Sequence, residues 1–208
     1  MANSGVDYGR RRLLTGATVA VGAVGVGYVA VPFLGSWNPS ARTKAAGAPV
    51  DVDISKVQAG MMIRAKWRGK VVYILNRTEK QLKGLKEMTN SGALKDPNST
   101  VETQQPAYAK NEFRSIKPEY LIMLGICTHL GCAPSYKPEE GSLKPGLPGG
   151  YFCPCHGSKF DMAGRVLNGV PAQINLKIPP HFYVKNTLVR IGEEKKKLVK
   201  PNADKGEA

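Results

Sequence analysis

Cys127-Thr128-His129-Leu130-Gly131-Cys132 and Cys153-Pro154-Cys155-His156-Gly157-Ser158 hold all four cysteines and two of the three histidines of a 208-residue chain. Each box offers sulfur and imidazole close enough to grip a metal from one tight loop. Pro134, Pro154 and the glycines at 131, 149, 150 and 157 permit sharp turns and bring backbone N–H groups toward anionic sulfur. Cysteines confined to so short a span exclude a disulfide-stapled miniprotein. Three chemistries compete for these residues. Structural zinc would take two Cys and two His in a closed tetrahedron. A catalytic thiol would pair one Cys with a neighbouring His, and leaves the doubled motif without a reason. A [2Fe–2S] cluster would place two Cys on one iron and two His on the other. Six donors exceed either four-ligand site, and the surplus Cys of each box can form a disulfide in an exported compartment. An exposed redox centre gains from locked loops and a zinc knuckle gains little, which favours the cluster.

Around the boxes, strand patterns dominate. Glu119–Cys127 carries the run Leu-Ile-Met-Leu, which suits a buried strand. Val50, Val52 and Ile54 alternate with polar residues, and Met62–Trp67 and Lys70–Leu75 flank Arg68-Gly69 as a tight hairpin. Ile174, Leu176 and Ile178 alternate again, and Phe182–Val184 and Leu188–Ile191 flank a turn at Lys185-Asn186. One helix is expected at Thr78–Met88. Thr78 and Gln81 form its capping box, Leu82 and Leu85 share a face, and Lys80, Lys83 and Lys86 form the solvated one. Residues 89–115 are polar and weakly patterned, and no role follows for them. Tyr136 and Tyr151 read as packing residues, Asp161 as a turn or cap residue, and His181 as a surface histidine. The expected fold class is mainly β: an antiparallel β head over 50–200, with a small cluster-binding subdomain at about 125–172, behind one N-terminal transmembrane helix.

No charged residue occurs from Leu13 to Ala41. The 22 residues Leu13–Leu34, as a helix, would cover roughly 33 Å, a bilayer's hydrocarbon thickness. A cleaved signal's apolar region runs only about 7–15 residues. Gly16, Gly22, Gly25, Gly27 and Pro32 disfavour a buried core helix in water, whereas lipid tolerates them and Ala23/Gly27 spacing allows close helix packing. Arg10-Arg11-Arg12 places the N-terminus in the cytoplasm and sends everything after Trp37 across the membrane. With Leu13-Leu14 these arginines also look like a twin-arginine export signal. The expected organisation is a cytoplasmic 1–12, an anchor at 13–35, a flexible tether at 36–49 and a tail at 201–208, with Trp37 at the lipid interface and no cleavage at Ala46-Gly47-Ala48. With 42% hydrophobic and 22% charged residues the chain is not broadly disordered. The chain's formal charge is +14, and residues 43–208 keep 26 Lys+Arg against 15 Asp+Glu, or +11. On a head carried away from nucleic acid this points to an acidic protein partner, anionic lipid headgroups or plain solvation. Glu193–Lys200 and the tail read as a solvated terminus.

The two boxes resemble those of Rieske iron–sulfur proteins of cytochrome bc-type complexes. The likeness extends to the anchor and tether, to Trp67-Arg68-Gly69-Lys70, and to Gly169-Val170-Pro171-Ala172 before Asn175-Leu176. Rieske domains of aromatic-ring dioxygenases usually lack the second cysteine of each box and the anchor, so Cys132, Cys155 and residues 13–34 favour the quinol-oxidising branch. The resemblance implies that Cys127 and Cys153 hold the inner iron, His129 and His156 the outer one, and that Cys132–Cys155 is a disulfide. It implies that Ser158 donates to cluster sulfur, that Gly131 and Gly157 line the cofactor, and that Leu130, His156, Gly169 and Pro171 dock the quinol site. Gly169–Ala172 would be the covering proline loop, one residue longer than the common Gly-Pro-Ala form. Phe160 stands where the family often has Tyr donating to a ligand sulfur, which implies a potential lower than in tyrosine-bearing relatives, within about −150 to +300 mV.

By the same resemblance, the chain is the electron-transfer subunit of a bacterial quinol–cytochrome c reductase, inactive alone. It takes one electron and a proton from quinol at cytochrome b, with His156 touching the quinol. The head then swings on its tether to reduce a c-type cytochrome, similar to cytochrome c1. The complex is expected to be dimeric, in the inner membrane, with the head periplasmic. The rival readings are the Rieske subunit of another exported oxidoreductase, such as an arsenite oxidase, and a zinc-stabilised interaction module.

Overall fold

A computed structural model of the chain describes Gly5 and residues 7–194. The Glu193–Lys200 run is described only to Glu194, and the tail lies outside the described residues. The strands in chain order are β1 (Val50–Asp53), β2 (Met62–Trp67), β3 (Lys70–Asn76), β4 (Tyr120–Leu124), β5 (Ser135–Lys137), β6 (Gly150–Phe152), β7 (Lys159–Asp161), β8 (His181–Lys185) and β9 (Leu188–Ile191). They form three antiparallel sheets in the orders β1-β9-β8, β2-β3-β4 and β5-β6-β7.

The apolar runs of β3 and β4 are continuous because both faces of their sheet are covered. Tyr73, Leu75, Leu121 and Met123 enter one core with Cys127, Tyr151, Cys153, Phe160 and Leu176. The intervening Val72, Ile74, Ile122 and Leu124 enter a second with Ile54, Trp67, Val189 and Ile191. A period of two thus ties the cysteine-bearing part to one face and the β1-β9-β8 sheet to the other. Arg68 and Gly69, with φ of 49° and 71°, form the tight turn between β2 and β3. Gly125 ends β4 where any Cβ would meet the Tyr73 ring, so the chain can turn there toward the first box.

Among the helices, α1 (Tyr8–Gly35) begins before the apolar span, because the Asp7 side chain accepts from the N–H groups of Gly9 and Arg10. It is long and apolar enough to cross a membrane. Residues 36–49, expected as a flexible tether, contain α2 (Ala41–Ala46), where Ser40 Oγ accepts from Thr43 N–H. The chain divides after Ala45 into two compact units. α3 (Glu79–Asn90) carries the expected capping box, with Thr78 Oγ1 and Gln81 Oε1 each accepting from the other's N–H.

The alternation at Ile174, Leu176 and Ile178 does not make a strand. Its backbone groups are satisfied one at a time: Leu176 N–H donates to Gly164 O, Ile178 N–H to Gln104 O, and Leu124 N–H to Lys177 O. The apolar alternation reflects burial without a partner strand. Residues 92–95 run beside 166–168, with Leu94 bridging Leu167, Lys95 N–H on Val166 O and Asn168 N–H on Ala93 O.

Candidate metal centre

The two boxes fold as one loop used twice. Cys127 N–H donates to Cys132 O and Gly131 N–H returns to Cys127 O; Cys153 N–H donates to Ser158 O and Gly157 N–H returns to Cys153 O. Both closures need the fifth residue in the left-handed region, and Gly131 and Gly157 supply it with φ of 87° and 77°. The first loop leaves β4; the second joins β6 to β7. Cys132 and Cys155 are bonded to each other, with Cα atoms 6.6 Å apart, and cross-link the loops.

The cross-link sorts the donors. Cys127 and Cys153 are buried free thiols behind the loops. The His129 and His156 rings stand edge to face with centroids 4.8 Å apart, His129 half-buried and His156 exposed. Leu130, within the first loop, is 70% exposed. Burial pushes the Cys127 thiol up, while the His129 amide and the Ser158 hydroxyl favour its thiolate. A metal held at Cys127 would bind the thiolate, and its binding would release the thiol proton.

Sulfur positions alone would suggest a different site, because the Sγ atoms of Cys132, Cys153 and Cys155 all lie within 4.8 Å of one another. The disulfide withdraws two of the three. What remains is two thiols and two imidazoles, the donor set of a Rieske-type [2Fe–2S] cluster, so the residues present fit the group.

A third loop completes the setting. Ser158 is fully buried and its Oγ accepts from Ala172 N–H at 3.1 Å. Thr128 Oγ1 donates to Ile174 O at 2.6 Å. Gly169 and Pro171 are exposed on this loop, and Val170 is half-buried.

Comparison with known proteins agrees with this geometry. Residues 109–180 match the family described as "Rieske [2Fe-2S] domain", and residues 1–40 match "Ubiquitinol-cytochrome C reductase Fe-S subunit TAT signal". The ubiquinol–cytochrome c reductase iron–sulfur subunit of Allochromatium vinosum is 54% identical, over 94% of this chain and 94% of the relative. That of Blastochloris viridis is 45% identical over 88% and 92%, and that of Rhodobacter capsulatus 40% over 88% and 95%. The chain belongs to this Rieske iron–sulfur subunit family. It carries one Rieske-type [2Fe–2S] cluster.

Behind the Rieske loops lies a buried polar frame that local pattern did not disclose. Asp161 Oδ1 accepts from Ala163 and Arg165 N–H, so it does cap a turn, but its Oδ2 also pairs with Arg165 Nε at 2.7 Å, both side chains being almost fully buried. Arg165 continues to Thr89 Oγ1 and Leu85 O. Arg114 donates to Ala163 O, Gly164 O and Gln105 Oε1, and Arg77 to Phe113 O and Met162 O. Burial pushes both of these guanidinium groups down to about 10, which leaves them charged at neutral pH. Asn175 Oδ1 accepts from Val166 N–H and its Nδ2 donates to Asp96 O. Residues 89–115 therefore hold the back of the cluster-binding part.

His181 is not a surface residue. It is 1% exposed, with Nδ1 paired to Pro179 O and its ring edge-on to Tyr108. Its backbone N–H donates to Tyr108 Oη at 2.8 Å. Tyr136 and Tyr151 do pack, at 5.6 Å between rings, and Tyr136 also links Gln81 of α3 to Gly60 O.

Proposed function

We propose that this chain oxidises quinol at a cytochrome b site and passes the electron to a c-type cytochrome similar to cytochrome c1. The observation that carries the reading is the disulfide-locked loop pair, which presents two adjacent imidazoles outward and keeps two thiols buried behind them. Cys127 and Cys153 would hold the inner iron, and His129 and His156 the outer one. Bound there, the cluster supplies one-electron acceptance at a potential raised by neutral imidazoles in place of two thiolates.

The chain's own residues do the rest. His156, the exposed member of the pair, meets the quinol hydroxyl and takes its proton at the ring nitrogen left free of iron. Leu130, Gly169 and Pro171 surround it with apolar and backbone surface that excludes water when the tip docks. Ser158 donates to sulfur, and Gly131 and Gly157 let N–H groups face the centre. The Cys132–Cys155 bond keeps the loops from separating as the head docks and leaves. α1 anchors the chain in the inner membrane with its arginines cytoplasmic and residues 50–194 periplasmic, and 36–49 is the tether on which the head travels. Turnover belongs to a dimeric complex with cytochrome b and the cytochrome c1-like partner, not to this chain alone.

Low-temperature EPR of ascorbate-reduced membranes, with and without a quinol-site inhibitor, tests this. The expected result is a rhombic Rieske signal that shifts with inhibitor. A signal indifferent to inhibitor would place the chain in another oxidoreductase.

A further inference from the structure

The loop Gly169–Ala172 is exposed at Pro171 yet fixed on both sides. Val170 packs against the core that holds Cys127 and Cys153, and also against the small cluster of Met88, Leu94 and Leu167. Asn168 Nδ2 donates to Gly92 O and Leu94 O at 2.9 and 3.3 Å. Lys95 Nζ donates to Gln173 Oε1. On the far side Thr128 Oγ1 reaches Ile174 O. The peptide before Ala172 therefore has little freedom, and Ala172 is itself fully buried.

A hydroxyl has one hydrogen to give and lone pairs to receive with. The Ala172 N–H occupies one lone pair of Ser158 Oγ at 3.1 Å. Among the described residues that oxygen has no oxygen acceptor for its own hydrogen, and Ser158 is fully buried on the loop that its own carbonyl closes onto Cys153 N–H. We propose that Ala172 is a positioning residue: its backbone N–H orients the Ser158 hydroxyl so that the hydrogen points at sulfur, and the loop thereby sets the potential of the centre. The bond to Ala172 also polarises the hydroxyl, which makes it a stronger donor. Because Pro171 is exposed and adjacent, a partner that presses on the loop acts on the same bond. The inference rests on the cluster-binding reading of the two boxes.

The test is a double-mutant cycle on the full chain in its membrane complex, read as the midpoint potential from EPR-monitored redox titration. Ala172→Pro deletes the N–H. It should lower the midpoint by less than Ser158→Ala does, and should leave the midpoint of the Ser158→Ala chain unchanged. Equal shifts in both backgrounds, or no shift in either, would overturn the proposal. Val170→Ala keeps the N–H but loosens its anchor, and serves if the proline variant does not assemble. It should lower the midpoint only where Ser158 is present, and an equal fall without Ser158 would overturn the proposal. The presence of a Rieske-type signal is scored separately, so its absence from the unsubstituted chain would sink the cluster reading rather than the orientation of the hydroxyl.

Discussion

Phe160 lies fully buried in the core that contains Cys127 and Cys153, two residues after Ser158 and opposite Tyr151 in the β6–β7 ladder. A phenylalanine brings no donor to electron-rich sulfur, so at this position nothing stabilises the reduced, more negative cluster, and the proposed donor is Ser158 alone. Phe160→Tyr should raise the midpoint potential, read by redox titration. A midpoint that stayed put or fell would mean the added hydroxyl finds no sulfur, and a buried unsatisfied hydroxyl should then cost about 1–3 kcal/mol of stability.

His181 tests the head at a distance from the cluster. Burial depresses its pKa below the usual imidazole value, with the Pro179 carbonyl opposing. The unfolded chain then binds a proton more readily than the folded one in the window between those two values. The stability owed to neutral His181 is complete above the unfolded value of about 6.5, and is lost as pH falls through that window. Urea midpoints should therefore drop between pH 7.5 and 5.5, and His181→Gln should flatten that part of the drop. An unaltered slope would assign the acid sensitivity to other groups.

At the scale of elements, the two cysteine loops are alike in backbone and are joined by one cross-link. Cys132 and Cys155 are 23 positions apart. Closing such a loop in the unfolded chain is worth about 3 kcal/mol by the entropy estimate. Replacing both with serine should lower the stability of the head by that order and reduce the Rieske EPR amplitude per chain. Full amplitude with unchanged stability would show that the paired Cys–Gly turns hold the loops unaided. Those loops, the β2–β3 hairpin and α3 were legible in the sequence because their signals are local. Arg68-Gly69 can only be a turn, Thr78 and Gln81 cap within three residues, and the boxes carry their own glycines. What stayed hidden is long-range. Arg165 finds Leu85 O and Thr89 Oγ1, Asn175 finds Asp96 O, and Arg114 finds Ala163 O. No periodicity records such partners. The same gap explains Ile174–Ile178, where apolar alternation reported a buried environment and not a ladder.

At the scale of the whole molecule, the proposed service of two partners by one cluster depends on the segment between anchor and head. α2 has six residues and none is buried. Helices shorter than about 12–15 residues are marginal without tertiary packing. As a helix those residues cover roughly 9 Å, and fully extended roughly 20 Å, so melting and reforming α2 would change the tether's reach by about a third of a bilayer's apolar thickness. A stiff segment of fixed length would lose that adjustment. Ala45→Pro, Ala46→Pro and Gly47→Pro together replace the end of α2 with a semi-rigid extended rod. Electron delivery from quinol to the c-type cytochrome should slow in the intact complex, while the reduced EPR spectrum and the midpoint potential stay as they were. Slowing together with an altered spectrum would place the lesion at the cluster, and unchanged turnover would show that the head reaches both partners without using residues 36–49 as a tether.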